Sequence, residues 1–133
     1  DESMYGIMVP RLSIQPLVDN AIRYGMQERF DEACSVYLSI QRGGGSELHI
    51  CVMNTGSAFE PDLLNRLRTG SLQPHGTGIG LVNIDKRLRI LYGDDYGLTL
   101  LNEGELAKAM IRIPITDTTK GEALHAAHDY CGR

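Results

Sequence analysis

Residues Gly76–Leu88 read GTGIGLVNIDKRL. Glycine stands at alternate positions, Gly76, Gly78 and Gly80, and runs straight into a helical pattern. Leu81, Ile84, Leu88 and Leu91 recur on one face of that helix, with Asp85, Lys86, Arg87 and Arg89 largely outside. Glycine in a helix interior costs about 1 kcal/mol relative to alanine. A cluster at a helix start therefore points to something that approaches the backbone closely. Helix N-termini present free N–H groups and a partial positive charge, so the natural ligand is a phosphate. Two familiar phosphate motifs do not fit. A P-loop needs Lys-Ser or Lys-Thr after its glycines, and none follows here. A dinucleotide fingerprint needs G-x-G-x-x-G between a strand and a helix, whereas this spacing is G-x-G-x-G after a polar loop.

The flanking sequence supplies the rest of the domain. Upstream, PDLLNRLR (Pro61–Arg68) reads as a short helix with proline at its start, and residues Thr69 to Thr77 as a polar loop. ACSVYLSIQR and SELHICVMN alternate with period two and are joined by Gly43–Ser46, the signature of a hairpin. Leu48, Ile50 and Val52 share one face of the second strand; His49, Cys51 and Met53 share the other. In RLSIQPLVDNAIRYGM, residues Ile14, Leu17, Val18, Ala21, Ile22 and Met26 recur at helical steps, with Pro16 suited to the first turn and a start nearer Leu12 equally open. Tyr5–Pro10 reads as a short strand. Downstream, YGLTLLN and AKAMIRIPI read as two strands linked by a turn at EGE. The order β-α-β-β-α-loop-α-β-β predicts an α+β fold: a two-layer α/β sandwich whose mixed, mostly antiparallel sheet is covered on one face by helices.

The chain has 133 residues, about one domain, and 42% of them are hydrophobic, enough for a real core. A net charge of −4 argues against a dedicated nucleic-acid binder. Cys34, Cys51 and Cys131 are odd in number and lack metal-ligand spacing, which fits a reducing compartment. No apolar run approaches the roughly 18 residues of a membrane span, and no signal peptide is visible, so the expectation is a soluble, intracellular domain. The absence of an initiator methionine suggests a piece of a longer protein.

Three separated stretches resemble one family. QPLVDNAIRYG (Gln15–Gly25) is similar to the N box of the GHKL ATP-binding domains, the gyrase, histidine kinase and MutL type. VMNTGSAF resembles their first glycine box and GTGIGL their second, in the family's order. The wording is nearest the LytS/YesM-type sensor histidine kinases: Q-P-L-V-E-N-A-I-K-H-G, then G-x-G-I-G-L-x-N-x-x-x-R-L, then L-Y-G, the last matched by Leu91–Gly93. The resemblance covers about residues 7 to 115. It implies a GHKL (Bergerat) ATP-binding catalytic domain over residues 1–116, its N-terminal strand truncated, followed by a weakly patterned tail, 117–133.

What the resemblance implies for single residues can be set beside their chemistry. Asn20 matches the N-box asparagine that holds Mg²⁺ against the nucleotide phosphates; a hard cation wants oxygen ligands, and an amide oxygen suits it. Arg23 and Tyr24, one turn on, match positions that approach phosphate. Asn54 stands where the family usually has an aspartate that accepts a hydrogen bond from the adenine amino group. Its carbonyl oxygen still accepts, but its NH₂ then needs a partner of its own. Gly56 would let the backbone pass the adenine ring, and Ala58 sits where a second glycine is common. Gly76, Thr77, Gly78, Gly80 and Leu81 form the second box, shaping the lid hinge and the phosphate-facing helix start. The lid is about Phe59 to His75; Gln73 and His75 could touch phosphate there, although a lone loop histidine is more often just solvated. His125 and His128 in the tail read as a surface pair rather than half a metal site.

Hydrolysing members of the family carry a glutamate four residues before the N-box asparagine; here Pro16 stands there and offers no base. Asp19 matches the acidic residue of the LytS type, with a role either in polarising a metal-bound water or as a simple charge. No histidine has the context of a phosphoacceptor. The resemblance thus implies the ATP- and Mg²⁺-binding domain of a two-component sensor histidine kinase, without catalytic residues of its own. It would position the γ-phosphate for transfer to a histidine on an upstream dimerisation domain, and a response regulator would lie downstream. The full protein would be a homodimer, membrane-anchored and bacterial, with this domain in the cytoplasm touching neither nucleic acid nor membrane. The alternative is a nucleotide-binding regulatory GHKL domain without phosphotransfer.

Overall fold

A computed structural model describes residues 4–27, 33–73 and 77–115. The elements are α1 (Gln15–Gln27), β1 (Val36–Arg42), β2 (Glu47–Asn54), α2 (Leu63–Arg68), α3 (Thr77–Tyr92), β3 (Gly97–Glu103) and β4 (Leu106–Pro114). The strands form one sheet in the order β1-β2-β4-β3, every pair antiparallel. Strands β2 and β4 are central, and β1 and β3 are edges.

Register follows from the alternation of apolar residues. Leu48, Ile50 and Val52 pair with Ile113, Ile111 and Ala109, so both central strands present one apolar face. That face is buried against Leu17 and Ala21 of α1, Leu64 of α2 and Leu81, Ile84 and Leu88 of α3. Slipping β4 by one residue would turn Lys108 and Arg112 inward, which fixes the pairing. The α+β sandwich with helices against one sheet face is as expected.

Three details differ from the sequence reading. Tyr5–Pro10 is not a strand: Met4 to Gly6 form a turn, with the Ile7 N–H bonded to the Met4 carbonyl, and Gly6 takes φ +88°. With no strand there, the described sheet is wholly antiparallel rather than mixed. Helix α2 starts at Leu63, because Asp62 adopts a left-handed conformation, and α3 starts at Thr77, the last residue of the expected loop. Asp85, expected outside, is 1% exposed. The tail and its histidines lie outside the described residues.

Helix α1 meets the end of β2 through backbone rather than side chains. Gly56 has φ +89°, and a Cβ built there would lie 2.7 Å from the Gly25 carbonyl oxygen. A Cβ on Gly25 would in turn press on Cys34 Sγ and come 3.1 Å from the Thr55 carbonyl. Paired glycines thus let the helix lie directly on the turn that follows β2. Gly56→Ala combines a left-handed backbone with an overlap against main chain, and should cost about 2–4 kcal/mol. Urea unfolding checks this; a midpoint equal to that of the parent chain would show that the close approach is not needed.

Candidate functional site

The side of α1 that faces the sheet is apolar at Leu17 and Ala21, yet Asn20 lies between them and is only 6% exposed. Its Oδ1 is buried without any hydrogen-bond donor, and no other described buried side-chain nitrogen or oxygen is in that state. Leaving a buried polar group unsatisfied costs about 1–3 kcal/mol. A neutral amide oxygen kept from water and from donors fits a hard cation that prefers oxygen and takes few ligands from protein. The charged neighbour Asp19 is exposed, as are Arg23 and Tyr24 one turn further along the helix. No cluster of three or more His, Cys, Asp or Glu among the described residues is arranged to hold a metal. A cation here would depend on the amide and on the ligand's own oxygens.

Asn54 ends β2 and is 4% exposed. Its Nδ2 donates to the Thr55 carbonyl at 3.0 Å and to Ser57 Oγ at 2.8 Å. A carbonyl only accepts, so Thr55 fixes which end of the amide is nitrogen. The NH₂ therefore has its own partners inside the first glycine box, and the carbonyl oxygen is left as the acceptor. An aspartate here would set a second oxygen against the Thr55 carbonyl. The turn itself is anchored to β1: the Thr55 N–H donates to the Ser35 carbonyl at 3.1 Å, and the Ser35 N–H donates to Thr55 Oγ1 at 3.0 Å.

Gly56 is required by the Gly25 carbonyl in the fold itself, a reason that the sequence did not reveal. Ala58 is exposed at the end of this turn. Next to it, Phe59 is held by Asn102 of β3, whose Oδ1 accepts the Phe59 N–H at 2.9 Å while its Nδ2 donates to the Phe59 carbonyl at 3.0 Å. Asn102 was not singled out from sequence; an exposed asparagine near a strand end carries no local sign of a partner 43 residues away.

In the second box, Gly80 lies in the first turns of α3, and a Cβ there would meet no protein atom within 4 Å. Packing gives no reason for glycine at that place. Gly78 is half-buried, and Leu81 packs its side chain in the core, so only its backbone faces outward. Gly76, His75 and the Thr77 side chain lie outside the described residues. Gly80 and Pro16 line a cleft of about 210 Å³ between the starts of α1 and α3, together with Ser13, Asn83, Ile84 and Arg87. Pro16 thus lines this cleft with Gly80 and offers no base, whereas Asn20, Asn54 and Gly56 do not line it. His49, on β2, instead lies beside Glu47, with Nε2 3.2 Å from Oε2.

The segment between the boxes is partly rigid. The Arg68 guanidinium at the end of α2 makes a bidentate pair with Asp85 of α3: Nε to Oδ2 and Nη2 to Oδ1, each 2.7 Å. Those hydrogen bonds raise the Arg68 pKa above its already high ordinary value; burial opposes this and the Asp85 charge adds to it.

The helix–hairpin–helix–hairpin arrangement that joins these boxes is found in known proteins. Residues 10–119 match the family model described as histidine kinase-, DNA gyrase B- and HSP90-like ATPase. The chain is 32% identical to the sensor histidine kinase YesM of Bacillus subtilis over 86% of its own length and 18% of that protein's. It is 33% identical to the sensor histidine kinase YpdA of Escherichia coli K12 over 72% of its length and 16% of that protein's. It therefore spans less than a fifth of either relative. The fold is similar to the nucleotide-free catalytic domain of the histidine kinase ThkA, with a TM-score of 0.62 at 20% identity, covering 78% of this chain and 64% of that one. No helix among the described residues is long and apolar enough to cross a membrane. With the family model spanning most of the chain, the protein belongs to the histidine kinase-, DNA gyrase B- and HSP90-like ATPases.

Proposed function

We propose that this chain is the ATP-binding catalytic domain of a two-component sensor histidine kinase, holding Mg-ATP so that its γ-phosphate can pass to a histidine elsewhere in a longer protein. The observation that carries this reading is the donor-less, buried Oδ1 of Asn20, at the family's N-box position. Asn20 would be the protein's ligand to Mg²⁺. When bound, the ion supplies charge that neutralises the phosphate oxygens. Asn54 accepts the adenine amino hydrogen with its carbonyl oxygen, its own NH₂ being engaged by Thr55 and Ser57. The first turns of α3 turn backbone N–H groups toward the phosphates, and Gly80 leaves the space beside them open.

Catalysis by the chain is then a matter of positioning. An imidazole nitrogen of the acceptor bonds to phosphorus as the bond to the bridging oxygen breaks, and ADP leaves with the electron pair. With proline at position 16 the site has no group there to activate water, which favours transfer over hydrolysis. The acceptor histidine, the dimerisation domain that bears it and a downstream response regulator are partners of the longer protein, a homodimer anchored in a bacterial membrane with this domain in the cytoplasm. The regulatory reading, nucleotide binding without transfer, differs in one respect: it has no acceptor.

Two measurements test the site and then separate the two readings. Asn20→Ala removes a buried amide oxygen with no partner, so the nucleotide-free variant should be at least as stable as the parent, by up to about 1–3 kcal/mol. The same variant should lose most of its Mg-ATP affinity in calorimetry, by roughly a hundredfold. A folded Asn20→Ala chain with unchanged affinity would remove the site.

With radiolabelled ATP alone, the chain should stay unlabelled and release phosphate at background rate. With the acceptor domain of its own longer protein added, acid-labile label should appear on that domain. Label on His49 would contradict the reading, and tight ATP binding without transfer would favour the regulatory one.

A further inference from the structure

The Arg68–Asp85 pair uses no residue that the family strings specify: Arg68 lies outside them, and Asp85 falls at an open position of the string over Gly76–Leu88. The pair joins three elements at one point. Asp85 Oδ1 accepts the Leu98 N–H at 3.0 Å as well as Arg68 Nη2, and Arg68 Nη2 also donates to the Leu98 carbonyl at 3.2 Å. Leu98 belongs to β3, an edge strand, so the pair satisfies main-chain groups of the sheet edge while tying α2 to α3. Gly97 makes room for it: its φ is +136°, and a Cβ there would lie 2.7 Å from Asp85 Oδ1.

Asp85 is 1% exposed in this pair and the Arg68 side chain 33%, and taking a carboxylate out of water offsets much of its attraction to the guanidinium, so the pair is a poor way to gain stability. What a bidentate guanidinium–carboxylate pair does supply is a fixed direction. Arg68 is the last residue before the segment 69–76, and Asp85 stands on the helix that follows it. Gly78 precedes Asp85 by seven residues, two turns along the same side of α3. Fixing Asp85 to α2 and to the β3 backbone therefore fixes both the rotation and the height of the turn that carries Gly78 and Gly80. Nothing comparable ties Asn54, which is held by Thr55 and Ser57 at the far end of β2.

We propose that Arg68 and Asp85 are positioning residues for the nucleotide's phosphates: the pair sets the start of α3 against the sheet, and phosphate binding depends on it whereas adenine binding does not. This rests on the nucleotide-binding reading above. The test compares the affinities of Mg-ATP and of adenosine, which lacks phosphates, in the whole chain. Arg68→Lys keeps the charge but loses the fork. Arg68→Met with Asp85→Asn removes both charges, so no lone carboxylate is left buried, and keeps an oxygen for the Leu98 N–H. Both proteins should stay folded by circular dichroism, bind Mg-ATP about tenfold more weakly and bind adenosine within about twofold of the parent. Equal weakening for both ligands would reduce the pair to a general stabiliser and overturn the proposal, as would an unchanged Mg-ATP affinity. A parent chain that bound neither ligand would instead overturn the functional reading, and the proposal with it.

Discussion

Helix α1 has to meet two demands with one face. It seals the sheet with Leu17 and Ala21, and between those residues it carries an amide whose oxygen has no donor. Sealing the core requires the helix to lie close, and the Gly25–Gly56 contact brings backbone against backbone where α1 meets the end of β2. The same closeness takes Asn20 away from water. A strongly destabilising group in an otherwise well-satisfied interior persists when something outside the fold repays it, which is the pattern of a binding site rather than of a core.

The other large buried polar side chains make the contrast. Asn54 uses both amide hydrogens on neighbours within its own turn, and Asp85 takes three hydrogen bonds from Arg68 and Leu98. Each fixes a piece of backbone: Asn54 the turn after β2, Asp85 the α2–α3 junction at the sheet edge. Asn20 Oδ1 holds no such partner among the described residues. Two of the three are therefore satisfied within the fold, and the third leaves its oxygen without a partner among the described residues.

Much of this was legible in the sequence because its signals are local. Alternation in β2 and β4 gave the buried face, the three- and four-residue steps gave α1 and α3, and the boxes around Asn20, Asn54 and Gly80 could be matched as short strings. Tyr5–Pro10 misled because a short apolar run says nothing about whether a neighbouring strand is available to pair with it. Asp85 misled for a related reason: beside Lys86 and Arg87 it reads as part of a solvated face, and its partner, Arg68, lies 17 residues away on another helix. Asn102 was missed on the same ground. Gly56 was legible as special, but its reason, the carbonyl of Gly25, is a contact between elements that no pattern within either one reveals.

The central claim is that the buried oxygen of Asn20 is a metal ligand in the nucleotide complex. A crystal structure of the chain grown with Mg²⁺ and a non-hydrolysable ATP analogue tests it most directly. Asn20 Oδ1 should then lie about 2.0–2.1 Å from an octahedral ion shared with the phosphate oxygens. An analogue bound with Asn20 Oδ1 still lacking a partner, or turned away from the ion, would contradict it.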